Sequence, residues 1–169
     1  MSEYFDAYID KLNRLGLGVT LASPRVGFKR LNDSAVIPTK AHATDSGFDL
    51  YASEDVIIEP GETTVIPTGI AVELPEGYEA QVRPRSGVTS RTKLRVQLGT
   101  IDNGYNGEIG VIVDNIESRP NYYGKHVIRK GDRIAQLVIQ PIPAVESYEI
   151  EGDITESERG TGGFGSTGV

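Results

Sequence analysis

The 169-residue sequence has no cysteine and no tryptophan, one methionine and only two histidines. Without cysteine there is no disulfide framework, no thiolate nucleophile and no thiolate metal site. His42 and His126 lie far apart, and neither has a second ligand at metal-binding spacing. They read as surface or packing residues rather than as a zinc or iron site. No apolar run is long enough to cross a bilayer. The acidic start, MSEYFDAYID, has no apolar leader region. An intracellular, cytoplasmic protein without a membrane partner is therefore expected. Positive charge is also short: 17 Lys and Arg stand against 24 Asp and Glu, a formal net charge of −7. That balance argues against gripping a nucleic acid polymer through phosphate neutralisation. It leaves room for a nucleotide, since a few placed arginines suffice to hold one.

What is present suits one domain with a proper core, at 38% hydrophobic residues. Phe5, Tyr8, Ile9, Leu12 and Leu15 recur at helical steps and predict a short helix over residues 2–17, with Ser2 as N-cap and Gly16 and Gly18 as stop signals. From Arg25 onward the pattern is short strands and turns. Strands are expected at 55–59, 63–67, 69–74, 79–83, 94–101, 108–115, 126–129 and 133–140, punctuated by Gly and Pro. Asn103-Gly104 is a strong hairpin signal. No βαβ rhythm and no helical repeat is visible, so the fold class is all-β, a barrel or jelly roll. The division expected is a β domain over 1–151, with a helical extension over about 1–20, and a flexible arm over 152–169. The arm ends in RGTGGFGSTGV, where Phe164 stands alone among five glycines. Such a segment is either a disordered tail or an arm that carries a stacking group to a ligand.

Three segments could bind phosphate. In the first, Arg85, Ser86 and Gly87 open a short predicted helix, with Ser86 as a candidate cap. The second runs from Arg159 to Gly168; it lacks the Walker pattern but offers close backbone approach and the hydroxyls of Ser166 and Thr167. The third is Gly131 to Gln136, a turn entering a core strand, in which Gln136 alone looks placed for a ligand. Asp102, at the end of a predicted strand, is either a turn former or a catalytic carboxylate. Tyr105 is either a cross-strand packing residue or part of the same site. Asp49 could pair with an arginine.

Five segments together resemble the ordered motifs of the homotrimeric dUTPases (deoxyuridine 5′-triphosphate nucleotidohydrolases). They are ATDSGFDLYA at 43–52, PRSG at 84–87, GTIDNGYNGE at 99–108, GDRIAQLV at 131–138 and RGTGGFGSTG at 159–168. Asp45 and Phe48 depart from many members without removing a needed chemical group. The resemblance implies a jelly-roll-like barrel, dUTPase-like in fold, with a short N-terminal helix and a glycine-rich C-terminal arm. It implies a homotrimer with three sites, each shared between subunits, and hydrolysis of dUTP to dUMP and pyrophosphate. That activity supplies dUMP and limits uracil incorporation into DNA. By the same resemblance Asp102 activates the attacking water, Tyr105 packs under deoxyribose, and backbone at Gly99, Thr100, Ile101 and Gly110 reads uracil. Arg85, Ser86, Gly87 and Gln136 hold the triphosphate. Arg159, Gly165, Ser166 and Thr167 hold its far end, Phe164 stacks on the base, and Asp49 supports an arginine or the sugar-side network. Mg2+ is carried by the phosphates and water, without direct protein ligands.

The N-terminal helix and residues 116–125 exceed the minimal pattern, which suggests a phage-type enzyme. The stretch Ile116–Lys125 reads either as a solvated loop or, through adjacent Tyr122 and Tyr123, as a protein-docking surface. Two rival readings remain at this level. A dCTP deaminase relative would share the fold, but the intact GTIDNGY run favours dUTP hydrolysis. A binding or regulatory module on the same scaffold would rely on the 116–125 stretch.

Overall fold

The computed structural model describes residues 11, 14–16, 24–118 and 124–162. The predicted N-terminal helix lies almost wholly outside the described residues. Among the described residues from 24 onward, eleven strands and one helix follow one another: β1 (Gly27–Arg30), β2 (Gly47–Tyr51), β3 (Val56–Ile58), β4 (Thr63–Pro67), β5 (Ile70–Glu73), β6 (Tyr78–Pro84), α1 (Ser86–Arg91), β7 (Leu94–Val96), β8 (Gly99–Ile101), β9 (Gly110–Asn115), β10 (His126–Ile128) and β11 (Arg133–Pro141).

All pairings are antiparallel. A four-stranded sheet in the order β2-β11-β6-β8 and a three-stranded sheet in the order β4-β9-β7 carry most of the structure, with β1-β5 and β10-β3 as two-stranded ribbons. Neighbouring strands distant in sequence are the expected mark of a jelly-roll-like barrel. Alternation explains which faces meet. Ala80 and Val82 of β6 are buried while Glu79, Gln81 and Arg83 are not. Val111, Val113 and Asn115 of β9 are buried while Ile112 is exposed. Inward residues of both sheets join one hydrophobic core, with Leu50, Ile58, Ile66, Val111 and Leu137 at its centre. Among the described residues every buried side-chain polar atom has a hydrogen-bond partner, as the desolvation cost of an unpaired one requires. Buried Asn115 shows how: its amide donates to the carbonyls of Ile58 (3.1 Å) and Gly124 (2.8 Å), and its oxygen accepts from Glu117 N–H (3.1 Å).

Two expectations change. The single strand expected at 94–101 is two, β7 and β8, because the chain crosses from one sheet to the other at Gln97-Leu98, leaving Leu98 exposed. The Asn103-Gly104 signal does make a turn, closed by Tyr105 N–H to the Asp102 carbonyl (3.1 Å) with Gly104 at φ 86°. It does not make a ladder between its flanking strands: β8 pairs with β6, and β9 pairs with β4 and β7. After β11 the chain runs to residue 157 without regular structure, with Val145, Tyr148 and Ile154 exposed.

Candidate active site

The residues singled out in the sequence fall into two clefts and one arm. The first cleft, about 370 Å³, is polar and is lined by Asp45, Gly47, Asp49, Arg85, Ser86, Arg133 and Gln136. Asp49 is its pivot. Oδ1 accepts from Arg85 Nε at 3.0 Å and Oδ2 from Arg133 Nη1 at 3.3 Å. Arg85 Nη1 also donates to the Arg133 carbonyl (3.2 Å). One carboxylate thus aims two guanidiniums, and the trio keeps a net positive charge suited to an anion. Gln136 donates to the Pro84 carbonyl (3.0 Å). Its side chain packs over Gly47, where an added Cβ would lie 2.8 Å from its Oε1.

Arg133 was not singled out from the sequence, and the backbone explains why it belongs here. Residues three apart on a regular strand face opposite ways, which would put Arg133 and Gln136 on different sides of β11. The register with β2 slips by one between Arg133 and Ala135. This β-bulge leaves Ile134 and Ala135 both buried and turns Arg133 onto the same side as Gln136. The turn before it is pinned by Asp55, which accepts from Lys130 N–H (2.8 Å) and Arg129 Nη1 (2.7 Å). Those two bonds, the backbone one foremost, hold the Asp55 carboxyl below the usual carboxylate range.

Gly87 lines an adjoining hollow with Arg85, Arg91 and Arg133. The Arg91 guanidinium lies over it, 2.7 Å from where a Cβ would stand, so a side chain there would move the end of Arg91. Ser86 is not the cap expected from the sequence. Arg85 holds the N-cap position, with extended backbone and no side-chain cap bond, and Ser86 is the first helical residue. Arg95 Nη1 closes the other end of α1 by donating to the Thr89 and Thr92 carbonyls.

The second cleft, also about 370 Å³, is lined by Gly99, Thr100, Ile101, Asp102, Tyr105, Gly110 and their neighbours Val82, Glu108, Ile109 and Ile112. Among the described residues β8 is an edge strand, paired only with β6, which leaves its outward N–H and C=O groups open to a ligand. Asp102 is exposed at the end of that strand. Tyr105 OH donates to the Glu108 carbonyl (3.2 Å), and Glu108 Oε1 accepts from Gly69 N–H (2.6 Å). The cleft therefore offers unpaired backbone, a ring and a carboxylate: what a planar heterocycle and a hydrolytic water need.

The arm contributes to neither cleft within the described residues. Arg159 is exposed, and its Nε donates to the Gly162 carbonyl (3.0 Å) within its own turn. Phe164, Gly165, Ser166 and Thr167 lie outside the described residues. The same holds for Tyr122 and Tyr123.

An all-β scaffold with an arginine-rich anion pocket and a separate cleft bearing a carboxylate beside an open strand edge defines a nucleotide-handling protein. The chain belongs to the dUTPase family, whose model matches residues 33–168. It is 47% identical over 144 residues to the deoxyuridine 5′-triphosphate nucleotidohydrolase of Clostridioides difficile, covering 83% of this chain and 95% of that one. It is 48% identical over 142 residues to that of Clostridium tetani, covering 83% and 94%. Among solved structures it resembles the dUTPase of Staphylococcus bacteriophage 80alpha with dUpNHpp, at TM-score 0.79 and 38% identity over 86% of this chain and 99% of that one. It also resembles the dUTPase of phage phi11 of S. aureus, at TM-score 0.71 and 34% identity over 76% and 97%.

Gly47→Ala is expected to push Gln136 off the Pro84 carbonyl and to weaken inorganic pyrophosphate binding roughly tenfold. Calorimetric titration checks this; unchanged affinity would remove Gln136 from the anion pocket.

Proposed function

We propose that this chain hydrolyses dUTP to dUMP and pyrophosphate, with Asp102 as the base. The carrying observation is the carboxylate of Asp102 at the end of an open edge strand, in one cleft with Tyr105. Outward backbone groups of Gly99, Thr100, Ile101 and Gly110 pair with the uracil edge. A wrong base would leave them unpaired, which is where large discrimination arises. The Tyr105 ring lies under deoxyribose. Asp102 orients a water and takes its proton as the oxygen attacks the α-phosphorus, and pyrophosphate leaves. Arg85, with Ser86, Gly87 and Gln136, holds the triphosphate. Arg133 joins them through Asp49. Fixed cations of this kind stabilise the charge that builds on the phosphoryl oxygens. Arg159 with Gly165, Ser166 and Thr167 of the arm holds the far phosphates, and Phe164 stacks on the base.

Among the described residues no group of three His, Cys, Asp or Glu is placed to hold a metal ion, and Asp49 is committed to two guanidiniums. The pocket's donors suit phosphate. Magnesium fits as an ion riding on the substrate phosphates, where it supplies charge neutralisation when bound. A structural Mg(II) ion is described for the phi11 relative.

The working unit is a homotrimer with shared sites. Support comes from the strand register. Ile101 pairs with Ala80, so Asp102 stands level with Glu79, whereas Arg85 follows the far end of β6. At strand rise the two are about 20 Å apart. That separation supports a site in which a neighbouring copy supplies the other half. The exposed Val65–Ile112 pair on the outer face of the three-stranded sheet offers apolar surface for such a neighbour. The division of labour is then a β domain over 1–151 and an arm over 152–169 that closes on an adjacent subunit.

The protein is of the phage type and works on the cytoplasmic nucleotide pool, and residues 116–125 add a protein-docking surface. Both 80alpha and phi11 dUTPases resemble it. The first belongs to phage dUTPases described as controlling transfer of virulence genes, and the second as having a species-specific insert. Asn115 bonds Glu117 before that stretch and Gly124 near its end, which ties its two described ends to the core.

Pyrophosphate release with magnesium should occur from dUTP and not from dTTP, dCTP or UTP, and Asp102→Asn should cut kcat by about 10²–10⁴. Ammonia release from dCTP would favour a deaminase instead. Mixing and reassembling Asp102→Asn with Arg85→Ala, each inactive alone, should restore part of the activity; no recovery in confirmed mixed oligomers would sink the shared site. Deleting residues 117–123 should leave dUTP turnover intact while abolishing capture of a protein partner that the full chain binds. If the deleted chain binds that partner equally well, the docking role fails.

A further inference from the structure

β8 meets β6 over three residues, and the pairing ends at Ile101 with Ala80. Asp102 is the first residue beyond that ladder. The chain then turns away at Gly104, and the turn's own hydrogen bond, Tyr105 N–H to the Asp102 carbonyl, only closes the turn on itself. A carboxylate on a turn attached by so short a ladder needs a second tether to keep a fixed position.

Asn103 supplies one. Its Nδ2 lies 2.8 Å from the Pro75 carbonyl oxygen, 3.3 Å from that of Tyr78 and 3.4 Å from that of Leu74. Leu74 and Pro75 belong to the connection between β5 and β6, and Tyr78 is the first residue of β6. That connection is stiff: Tyr78 N–H bonds back to Pro75 (3.2 Å), and Ile142 N–H donates to the Gly77 carbonyl (2.7 Å). Turn chemistry alone does not call for this amide, because Asp-Gly suits a tight turn as well as Asn-Gly does. What Asp lacks is the donor.

We infer that Asn103 is a positioning residue, locking the turn so that the neighbouring Asp102 carboxylate stays at its working place in the cleft. The role rests on the reading of Asp102 as the base. It concerns geometry, where displacement by an ångström can cost about a hundredfold in rate.

The test uses the full chain with dUTP and magnesium. Asn103→Ala removes the donors. Asn103→Asp keeps the shape and the turn preference while presenting only acceptors to the three carbonyls. Thermal melting and circular dichroism verify that each variant folds. Asn103→Ala is expected to lower kcat by about 10- to 100-fold with KM for dUTP within about threefold of wild type. In an Asp102→Asn background the same substitution should change the residual rate less than about twofold, since nothing remains to be positioned. An equal loss in both backgrounds, or a raised KM with unchanged kcat, overturns the role. Wild-type kcat in Asn103→Ala beside an inactive Asp102→Asn overturns it alone. Full turnover by Asp102→Asn overturns the base reading beneath it and this role together.

Discussion

β6 is hydrogen-bonded on both sides, to β11 along its whole length and to β8 over its middle three residues. The placement of every candidate site residue in the sheet follows from that double pairing. A slip of one residue would exchange the buried Ala80 and Val82 with Glu79, Gln81 and Arg83 and destroy the core. Because the register cannot slip, the distance from the level of Asp102 to Arg85 is set along a rigid strand. The same strand that organises one chain keeps its two clefts apart.

Much of this was legible in the sequence, for identifiable reasons. Strand positions such as Thr63–Pro67 and Ile70–Glu73 stand between Gly and Pro punctuation, and the short apolar run Ile70–Val72 is buried throughout, as a core strand's is. Asp49 as an arginine partner was also legible, as the plain pairing of a carboxylate with a cation, beside a sugar-side alternative. Arg133 was not. Its partnership with Gln136 depends on a bulge, and a bulge breaks the very period from which faces are inferred. The sheet crossing at Gln97-Leu98 escaped as well, because local pattern continues smoothly through a corner that only tertiary packing creates. Likewise the Asn103 amide reaches a turn some 28 residues away, a contact no local window contains. Roles for the arm were legible only through the family motifs, since glycine-rich chain carries no period of its own.

Charge shows the same contrast between global and local reading. The chain is acidic overall at −7, yet Arg85, Arg91 and Arg133 line one hollow with Asp49 braced between two of them. Long-range potential does not select the ligand here; a few guanidiniums held at fixed angles do. Asp49 is half of that device. Without it two like charges would face each other across a few ångströms and spread apart.

The open edge of β8 bears on inheritance. Recognition by side chains can drift, because each reading group is one codon away from another. A template made of main-chain amides has no such letters. Its selectivity is carried by strand spacing and register, which the core already enforces. On the proposed reading, point mutations along Gly99–Ile101 would alter fit or crowding, and only a change to proline, which lacks the N–H, would take a donor out of the pattern that an incoming base meets. Fidelity of that kind ages slowly: as long as the barrel folds, the reading frame it offers to a heterocycle persists.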